Sequence, residues 1–349
     1  MKPFEINLRR IAPEEPTFVI AEAGVNHNGQ LVLAKRLVDI ALGAGADAVK
    51  FQTFRADQLA SSSASKATYQ ERISSQSESQ LEMLRQLELS EDAFHDIQKH
   101  CRSRGIIFLS TAFDERSVDF LVELNVPAFK IPSGEITNSP LLAHVGAKGK
   151  PVILSTGMAT LGEIDQAMRC LSESGASQIA LLQCVSEYPA DVSSTNLRAM
   201  ASLSDCFGVP VGLSDHSLGT EVAIAAVALG ARIIEKHFTS DKSLPGPDHS
   251  ASLEPGELKM LVTAIRNVEA ALGDGVKRPT AEELRNAAVV RRSLVAAVDL
   301  EAGASLERSM VAFKRPGTGI SMQILPYLLG RKLRRKVEAG AMLELGMFE

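Results

Sequence analysis

The sequence predicts an α/β chain, a (β/α)8 TIM barrel followed by a small β-rich domain. Three observations before Gly273 predict the barrel: eight short β-branched apolar runs, a polar residue at or near the end of each, and a stretch with helical spacing after each. The runs are Phe18–Ala23, Ala48–Gln52, Ile106–Ser110, Ala128–Pro132, Val152–Ser155, Ile179–Gln183, Val209–Ser214 and Arg232–His237. Continuous apolar runs of this kind suit parallel strands buried on both faces. Between them, Leu31–Leu42, Ala159–Leu171 and Leu253–Leu272 place apolar residues three and four apart, as an amphipathic helix requires. Glycine follows several of these stretches, in ALGAGAD, SRGI, ESGAS and ALGAR, where a left-handed residue ends a helix. Eight strand–helix units are the count of a closed barrel. A doubly wound sheet, the rival, usually has fewer strands and often an early GxGxxG, which is missing here.

Two stretches depart from the repeat. The connection from Arg55 to Ser90 is long, opening with ASSSASKA and continuing into a helical QLEMLRQLEL; loops of such length over strand ends are commonly functional. After Gly273 the pattern breaks. Residues 1–273 read as the barrel, 274–291 as a turn and charged helix or linker, and 292–349 as a separate small domain. In that last part Ser293–Ala297, Leu306 and Val311–Phe313 read as short strands, punctuated by Gly303, Pro316, Gly317 and Gly319. Charge changes at the same place. From Arg292 onward nine Lys/Arg face six Asp/Glu (net +3), leaving −8 on the first 291 residues.

Composition removes several function classes. With 349 residues, 45% hydrophobic, a large core is available without disulfides. A net charge of −5 argues against a nucleic-acid partner, because phosphate backbones select basic surfaces. The start, MKPFEINLRR, lacks the apolar segment of a secretory signal, and the run Val222–Ala231 closes at Arg232, too short for a membrane span. Cys101, Cys170, Cys184 and Cys206 form no CxxC pair and read as reduced thiols of a cytoplasmic protein.

In a barrel the active site lies at the C-terminal strand ends. The polar residues there are Glu22; Lys50 and Gln52; Ser110 and Thr111; Lys130, Ser133 and Glu135; Ser155 and Thr156; Ser186 and Tyr188; Ser214, Asp215 and His216; and Glu235, Lys236 and His237. A purely structural barrel would put Val, Ile or Leu at most of these places. Either lysine alone could be a snorkelling side chain. Lys50 and Lys130 together, with Ser133, Ser155 and Ser214, form a cradle for a small phosphate or carboxylate. His216 and His237 close neighbouring runs and read either as hydrogen-bonded rim residues or as ligands of Mn²⁺, Mg²⁺ or Co²⁺. The loops AEAGVNHNG and GPDHSAS read as ordinary turns, though Asp248 and His249 could reach the same rim.

AEAGVNHNG, AVKFQTF, STAFD, KIPSGEITN, ILSTGMAT, SEYPA, GLSDHSLG, EKHFT, GPDHSASLEP and KRPGTGIS occur in this order along nearly the whole chain. Together they resemble the sialic acid (nonulosonic acid) synthases. The resemblance implies a TIM barrel joined to an antifreeze-like (SAF) domain, in a domain-swapped homodimer. It implies condensation of phosphoenolpyruvate, an N-acylated mannosamine-type sugar and water into a nonulosonic acid, with release of inorganic phosphate. N-acetylneuraminate is the first expected product; N,N'-diacetyllegionaminate, from 2,4-diacetamido-2,4,6-trideoxymannose, is the alternative. His216 and His237 match the divalent-metal ligands, with Mn²⁺ expected first. Lys50, Thr111, Lys130, Ser133, Ser155, Ser186 and Ser214 match positions that hold phosphoenolpyruvate. Glu22, Gln52, Glu135, Tyr188 and Asp248 match positions around the sugar and reacting atoms, with Glu22 or Glu135 handling the proton. Arg315 matches an arginine that reaches across the dimer to the N-acyl group. Gln183 and Val185 stand where relatives often carry His and Asn or Thr. Two other classes stay open: a Schiff-base pyruvate aldolase using Lys50 or Lys130, and a non-catalytic glycan-binding protein.

Overall fold

Eight parallel strands close on one another in chain order. The structure, a computed structural model, describes residues 4–61, 64, 66, 79–176 and 178–349. The strands are β1 (Phe18–Gly24), β2 (Ala48–Thr53), β3 (Ile107–Ala112), β4 (Phe129–Ile131), β5 (Val152–Ser155), β6 (Ile179–Cys184), β7 (Val211–Asp215) and β8 (Ile233–His237). Strand β8 pairs back onto β1, from Ile233 opposite Phe18 to His237 opposite Glu22, which completes the barrel. The helices that cover it are α1 (Leu31–Ala44), α2 (Glu91–Arg104), α3 (Glu115–Glu123), α4 (Ser139–Gly146), α5 (Leu161–Ser174), α6 (Ala199–Phe207), α7 (Glu221–Ala228) and α8 (Pro255–Leu272).

Alternation along each strand sorts side chains between the two faces. One set faces outward, including Val19, Val49, Phe51, Phe108, Phe129, Leu154, Leu181, Leu213 and Ile234. It packs against Leu37, Ile97, Leu121, Leu171 and Leu261 of the helices. The opposite set begins apolar, with Phe18, Ile20, Ala48, Leu109, Ala128, Ile153, Ala180, Leu182 and Ile233. An antiparallel hairpin, Glu5–Ile6 with Arg9–Arg10, contributes to that interior cluster through Phe4, Ile6 and Ile11. Continuing the same alternation two residues further reaches Glu22, Lys50, Thr111, Lys130, Ser155 and Glu235. The interior therefore changes from apolar to charged along its axis.

The helix ends follow local chemistry. Ser90, Asp114, Asn138 and Thr160 accept backbone N–H groups at the starts of α2, α3, α4 and α5. Gly45 and Gly105 stop α1 and α2 at φ 83° and 79°, a conformation costly for residues with a Cβ. In the long connection, helices span Ala56–Leu59 and Gln80–Leu87, the second opened by a Ser79–Glu82 capping box. Leu59, Met83, Leu84 and Leu87 pack there with Val25, Phe54 and Phe113. Residues 62, 63, 65 and 67–78, which include half of the Ser/Ala-rich tract, lie outside the described residues.

The chain divides into two compact units, Met1–Gly273 and Asp274–Glu349. In the second, a helix α9 (Ala281–Val290) occupies the stretch read as a linker. It is tied to its own unit by hydrogen bonds from Gly317 N to Ala288 O and from Arg315 Nε to Val290 O, both 2.8–2.9 Å. Strands β9 (Ser293–Ala296) and β10 (Val311–Lys314) pair antiparallel over a core that includes Leu294, Leu300, Leu306, Leu328, Leu333 and Leu343. Leu306, expected as a strand, is a core residue beside the isolated bridge Ser305–Lys332. Among the described residues no helix is long and apolar enough to cross a membrane.

Phe4 is fully buried in the interior apolar cluster. Phe4→Ala is expected to destabilise the barrel by about 3–5 kcal/mol, read as a lower urea midpoint by circular dichroism.

Candidate active site

The charged end of the barrel is organised around two buried ammonium groups and two buried carboxylates. Lys50 on β2 places Nζ 2.6 Å from Thr111 Oγ1, to which it donates, and 2.8 Å from Glu22 Oε2. Lys130 on β4 donates to Ser155 Oγ at 2.7 Å and to the Ile131 carbonyl at 3.2 Å. Glu235 on β8 lies between them, Oε2 3.7 Å from Lys50 Nζ and Oε1 3.6 Å from Lys130 Nζ. Ser214 on β7 donates to Glu235 Oε1 at 2.7 Å. Gln52 Nε2 stands 3.5 Å from Glu22 Oε1, at the limit of a hydrogen bond.

Burial and charge set the protonation of this group. Desolvation pushes Glu22 up to about 7, against the pull of Lys50. Desolvation also acts to raise Glu235, but Lys130 and Lys50 prevail and hold it down at about 2. Burial lowers Lys130, with Glu235 opposing. Burial likewise acts to lower Lys50, but Glu22 and Glu235 together leave it raised. Glu235 is thus a fixed counter-charge, while Glu22 can gain or lose a proton near neutral pH.

Beside this group stand the two imidazoles. The ring centroids of His216 and His237 are 5.4 Å apart, and the Tyr188 ring lies 4.0 Å from His216. A Cβ on Gly24 would be 3.4 Å from both Glu22 Oε1 and His237 Cε1, and 3.5 Å from Gln52 Nε2, so charges and imidazoles share one site. His216 Nδ1 is 2.7 Å from the Val185 carbonyl; a carbonyl only accepts, so the proton sits on Nδ1 and the Nε2 lone pair is left for a ligand. Buried His237 Nδ1 has no hydrogen-bond partner; Asp248 Oδ2 is 3.8 Å away. Desolvation raises the Asp248 carboxyl to about 6. An available lone pair and an orphaned ring nitrogen fit a divalent cation. Among the described residues no group of three or more His, Cys, Asp and Glu could cage one. A cation held by these two imidazoles would complete its shell with water or substrate oxygen.

The remaining expected residues divide between the barrel mouth and the second unit. Ser133 Oγ accepts the Gly157 N–H at 2.9 Å, and a Cβ on Gly157 would fall 2.4 Å from Ser186 Oγ and 2.8 Å from Ser133 Oγ. Ser133 and Ser186 therefore converge on Gly157, a residue the sequence pattern does not single out. Glu135 is half-buried in the turn Ser133–Glu135 and accepts from Asn138 Nδ2 at 2.7 Å. Arg315 belongs to the second unit, where it bonds the Val290 carbonyl. Of the other rim residues, Ser110 bonds Thr53, Thr156 bonds the Leu182 carbonyl, and Asp215 pairs with Lys236. Glu235 stands on the rim in the sequence without an assigned role; its parity with His237 is the signal that places it inside.

The two glycine-bearing loops are fastened together. Asn26 Nδ2 donates to the Phe238 carbonyl and Ser252 Oγ, and Ser252 Oγ donates to the Asp248 carbonyl at 2.6 Å. Asn28 Nδ2 donates to the Pro245 carbonyl, and Asn28 Oδ1 lies 3.1 Å from His249 Nε2. The loop carrying Asp248 is thereby held to the loop that follows β1.

The NeuB family profile matches residues 37–277, and the SAF domain profile matches residues 291–349. The chain belongs to the NeuB family. It is 51% identical over 317 residues to N,N'-diacetyllegionaminic acid synthase of Campylobacter jejuni, covering 90% of this chain and 95% of the relative. It is 49% identical over 330 residues to the protein of the same name from Legionella pneumophila, covering 93% of each. A solved N-acetylneuraminic acid synthetase from Leptospira borgpetersenii, in complex with citrate, superposes with TM-score 0.72 at 35% identity, over 82% of this chain and 95% of that one. The expected TIM barrel and C-terminal SAF domain, and membership of the nonulosonic acid synthases, follow from these matches.

Within the fastened loops, burial and nearby His249 bring His27 down to about 4. The unfolded chain binds this proton near pH 6.5 and the fold does not until about 4, so the contribution is complete above 6.5 and lost as pH falls toward 4. It amounts to about 3 kcal/mol. His27→Asn is expected to flatten the acid limb of stability against pH by that amount, in urea titrations from pH 7 to 4.

Proposed function

We propose that this chain condenses phosphoenolpyruvate with 2,4-diacetamido-2,4,6-trideoxymannose and water, giving N,N'-diacetyllegionaminate and inorganic phosphate. The observation that carries the choice of sugar is the 49–51% identity to two relatives named as N,N'-diacetyllegionaminic acid synthases. It moves the reading from N-acetylneuraminate, which the sequence put first, to the alternative.

The site's chemistry supports a condensation of this class. Lys50 and Lys130 hold the phosphate and carboxylate of phosphoenolpyruvate, with Thr111, Ser133, Ser155, Ser186 and Ser214 supplying directed donors. His216 and His237 hold the divalent cation, Mn²⁺ first, with Mg²⁺ or Co²⁺ able to replace it. When bound, the cation supplies Lewis acidity toward the carbonyl oxygen of the open-chain sugar. Gln52, Tyr188 and Asp248 orient that sugar so that its aldehyde carbon faces carbon 3 of phosphoenolpyruvate. The new carbon–carbon bond forms there, water adds at carbon 2, and the bond to the phosphate oxygen breaks. Glu22 moves the proton between water and departing groups: it is buried beside Lys50 and titrates near neutrality. Glu135 keeps Asn138 and the turn after β4 in place. The lysines offset the charge of the leaving phosphate. The working form is a cytoplasmic homodimer in which Arg315 of a second copy meets the sugar's N-acyl group.

Phosphate release is expected to require phosphoenolpyruvate, the sugar and Mn²⁺ together. The diacetamido sugar should exceed N-acetylmannosamine by about tenfold or more in kcat/KM, a difference of about 1.4 kcal/mol in transition-state binding. Preference for N-acetylmannosamine would return the reading to N-acetylneuraminate, and no release with either would sink it. Borohydride trapping of pyruvate on Lys50 or Lys130 would instead identify the aldolase.

Gly157→Ala drives a methyl group into Ser186 and Ser133 at a backbone conformation that alanine otherwise tolerates. Phosphoenolpyruvate binding, measured by calorimetry, is expected to weaken by about tenfold, within the 1–3 kcal/mol of an overpacked contact.

A further inference from the structure

The outward face of the barrel strands is an apolar layer against the helices, and Asp215 and Lys236 interrupt it. Their relative exposures are 2% and 1%. Lys236 Nζ lies 2.7 Å from Asp215 Oδ2 and also donates to the Ser217 carbonyl. Asp215 Oδ1 accepts from Ser217 N at 2.9 Å and Ser217 Oγ at 2.7 Å. A buried ion pair stabilises a fold no better than well-packed apolar side chains would, so its chemistry has to be explained by its place.

That place is specific. Asp215 precedes His216, Ser217 follows it, and Lys236 precedes His237. Backbone pairing between β7 and β8 runs through Leu213, Ser214 and Asp215, and its last rung joins Lys236 to Asp215. Both imidazoles lie just beyond that rung, where the ladder between the two strands has ended. Past it, one lysine on β8 grips the residues on both sides of His216. Alternation points the imidazoles inward and the ion pair outward, so this tie touches neither substrate nor cation.

We propose that Asp215 and Lys236 are positioning residues that fix the separation of the His216 and His237 imidazoles for a divalent cation; this rests on the cation reading above. The test uses the full chain and three readouts. These are Mn²⁺ titration followed by electron paramagnetic resonance, thermal melting, and the imidazole separation in metal-free crystals. The double variant Lys236→Met with Asp215→Leu removes both charges and strands neither. Asp215→Asn keeps the size and an acceptor for Ser217 should the double variant fail to fold. Lys236→Arg keeps the charge.

The double variant and Asp215→Asn are expected to melt as folded proteins, to bind Mn²⁺ about ten- to a hundredfold more weakly, and to show a shifted imidazole separation. Lys236→Arg should recover most of the affinity, which a general loss of packing would not explain. Wild-type Mn²⁺ affinity and an unmoved imidazole pair in a folded charge-removal variant would overturn the positioning role and leave the cation reading standing. A wild-type chain that binds no Mn²⁺, while the variants still displace the imidazoles, would remove the cation reading and leave the positioning role standing.

Discussion

The site depends on Glu235 standing between two ammonium groups. Lys50 and Lys130 come from strands separated by β3, and each is only 3% exposed. Left unpaired, two buried cations would repel and lose protons to escape desolvation. Glu235, arriving from β8, lies within 3.7 Å of both and is itself held ionised by them and by Ser214. Removing one member of such a buried set commonly costs about 3–5 kcal/mol, because its partners are left uncompensated. The apolar interior below, from Phe18 to Ile233, supplies the rigid base on which this charged layer is held.

Much of the fold was legible because a buried parallel strand has a plain signature. Runs such as Val152–Ser155 and Ile179–Cys184 are apolar on both faces, and the glycines after α1 and α2 stop helices where their spacing said they would. The site was legible as a set of strand ends and less so as a set of directions. Glu235 and Lys236 are neighbours, yet one enters the barrel and the other faces the helices. That distinction is one residue of register, and it emerges on tracing alternation back to the apolar residues at the other end of each strand. Gly157 was missed for a different reason: what it contributes is the absence of a side chain where Ser133 and Ser186 converge. The helix Ala281–Val290 was hard to separate from a linker because none of its residues is buried.

On the proposed reading, the substrate is legible in the sequence as a class and not as a molecule. Ammonium groups and hydroxyls around a barrel mouth specify a small anion by charge and size. The two candidate sugars carry the same reacting aldehyde and differ in substituents at C4 and C6. Such substituents are read by side chains on loops, and loop positions are set by the folded chain rather than by strand periodicity. The two fastened loops illustrate this: Asp248 is held in place through Ser252 and Asn26, more than two hundred residues apart in sequence.

The carboxylates also explain how an anion site can exist before its anion arrives. On the proposed reading, a trianionic substrate requires cations that stay charged in a buried site, and Glu235 would secure that in advance. The same carboxylate would then repel the substrate unless the local charge is rebalanced. Glu22 provides the means, since burial has already brought it to about 7 and Lys50 is 2.8 Å away. On the same reading, protonation of Glu22 would become more favourable as the substrate's negative charge approaches, releasing Lys50 from one carboxylate toward the incoming anion. A proton taken up on binding would, on that reading, be available at the reacting centre when phosphate departs. One buried glutamate can thus serve both recognition and chemistry because its two protonation states lie close in free energy.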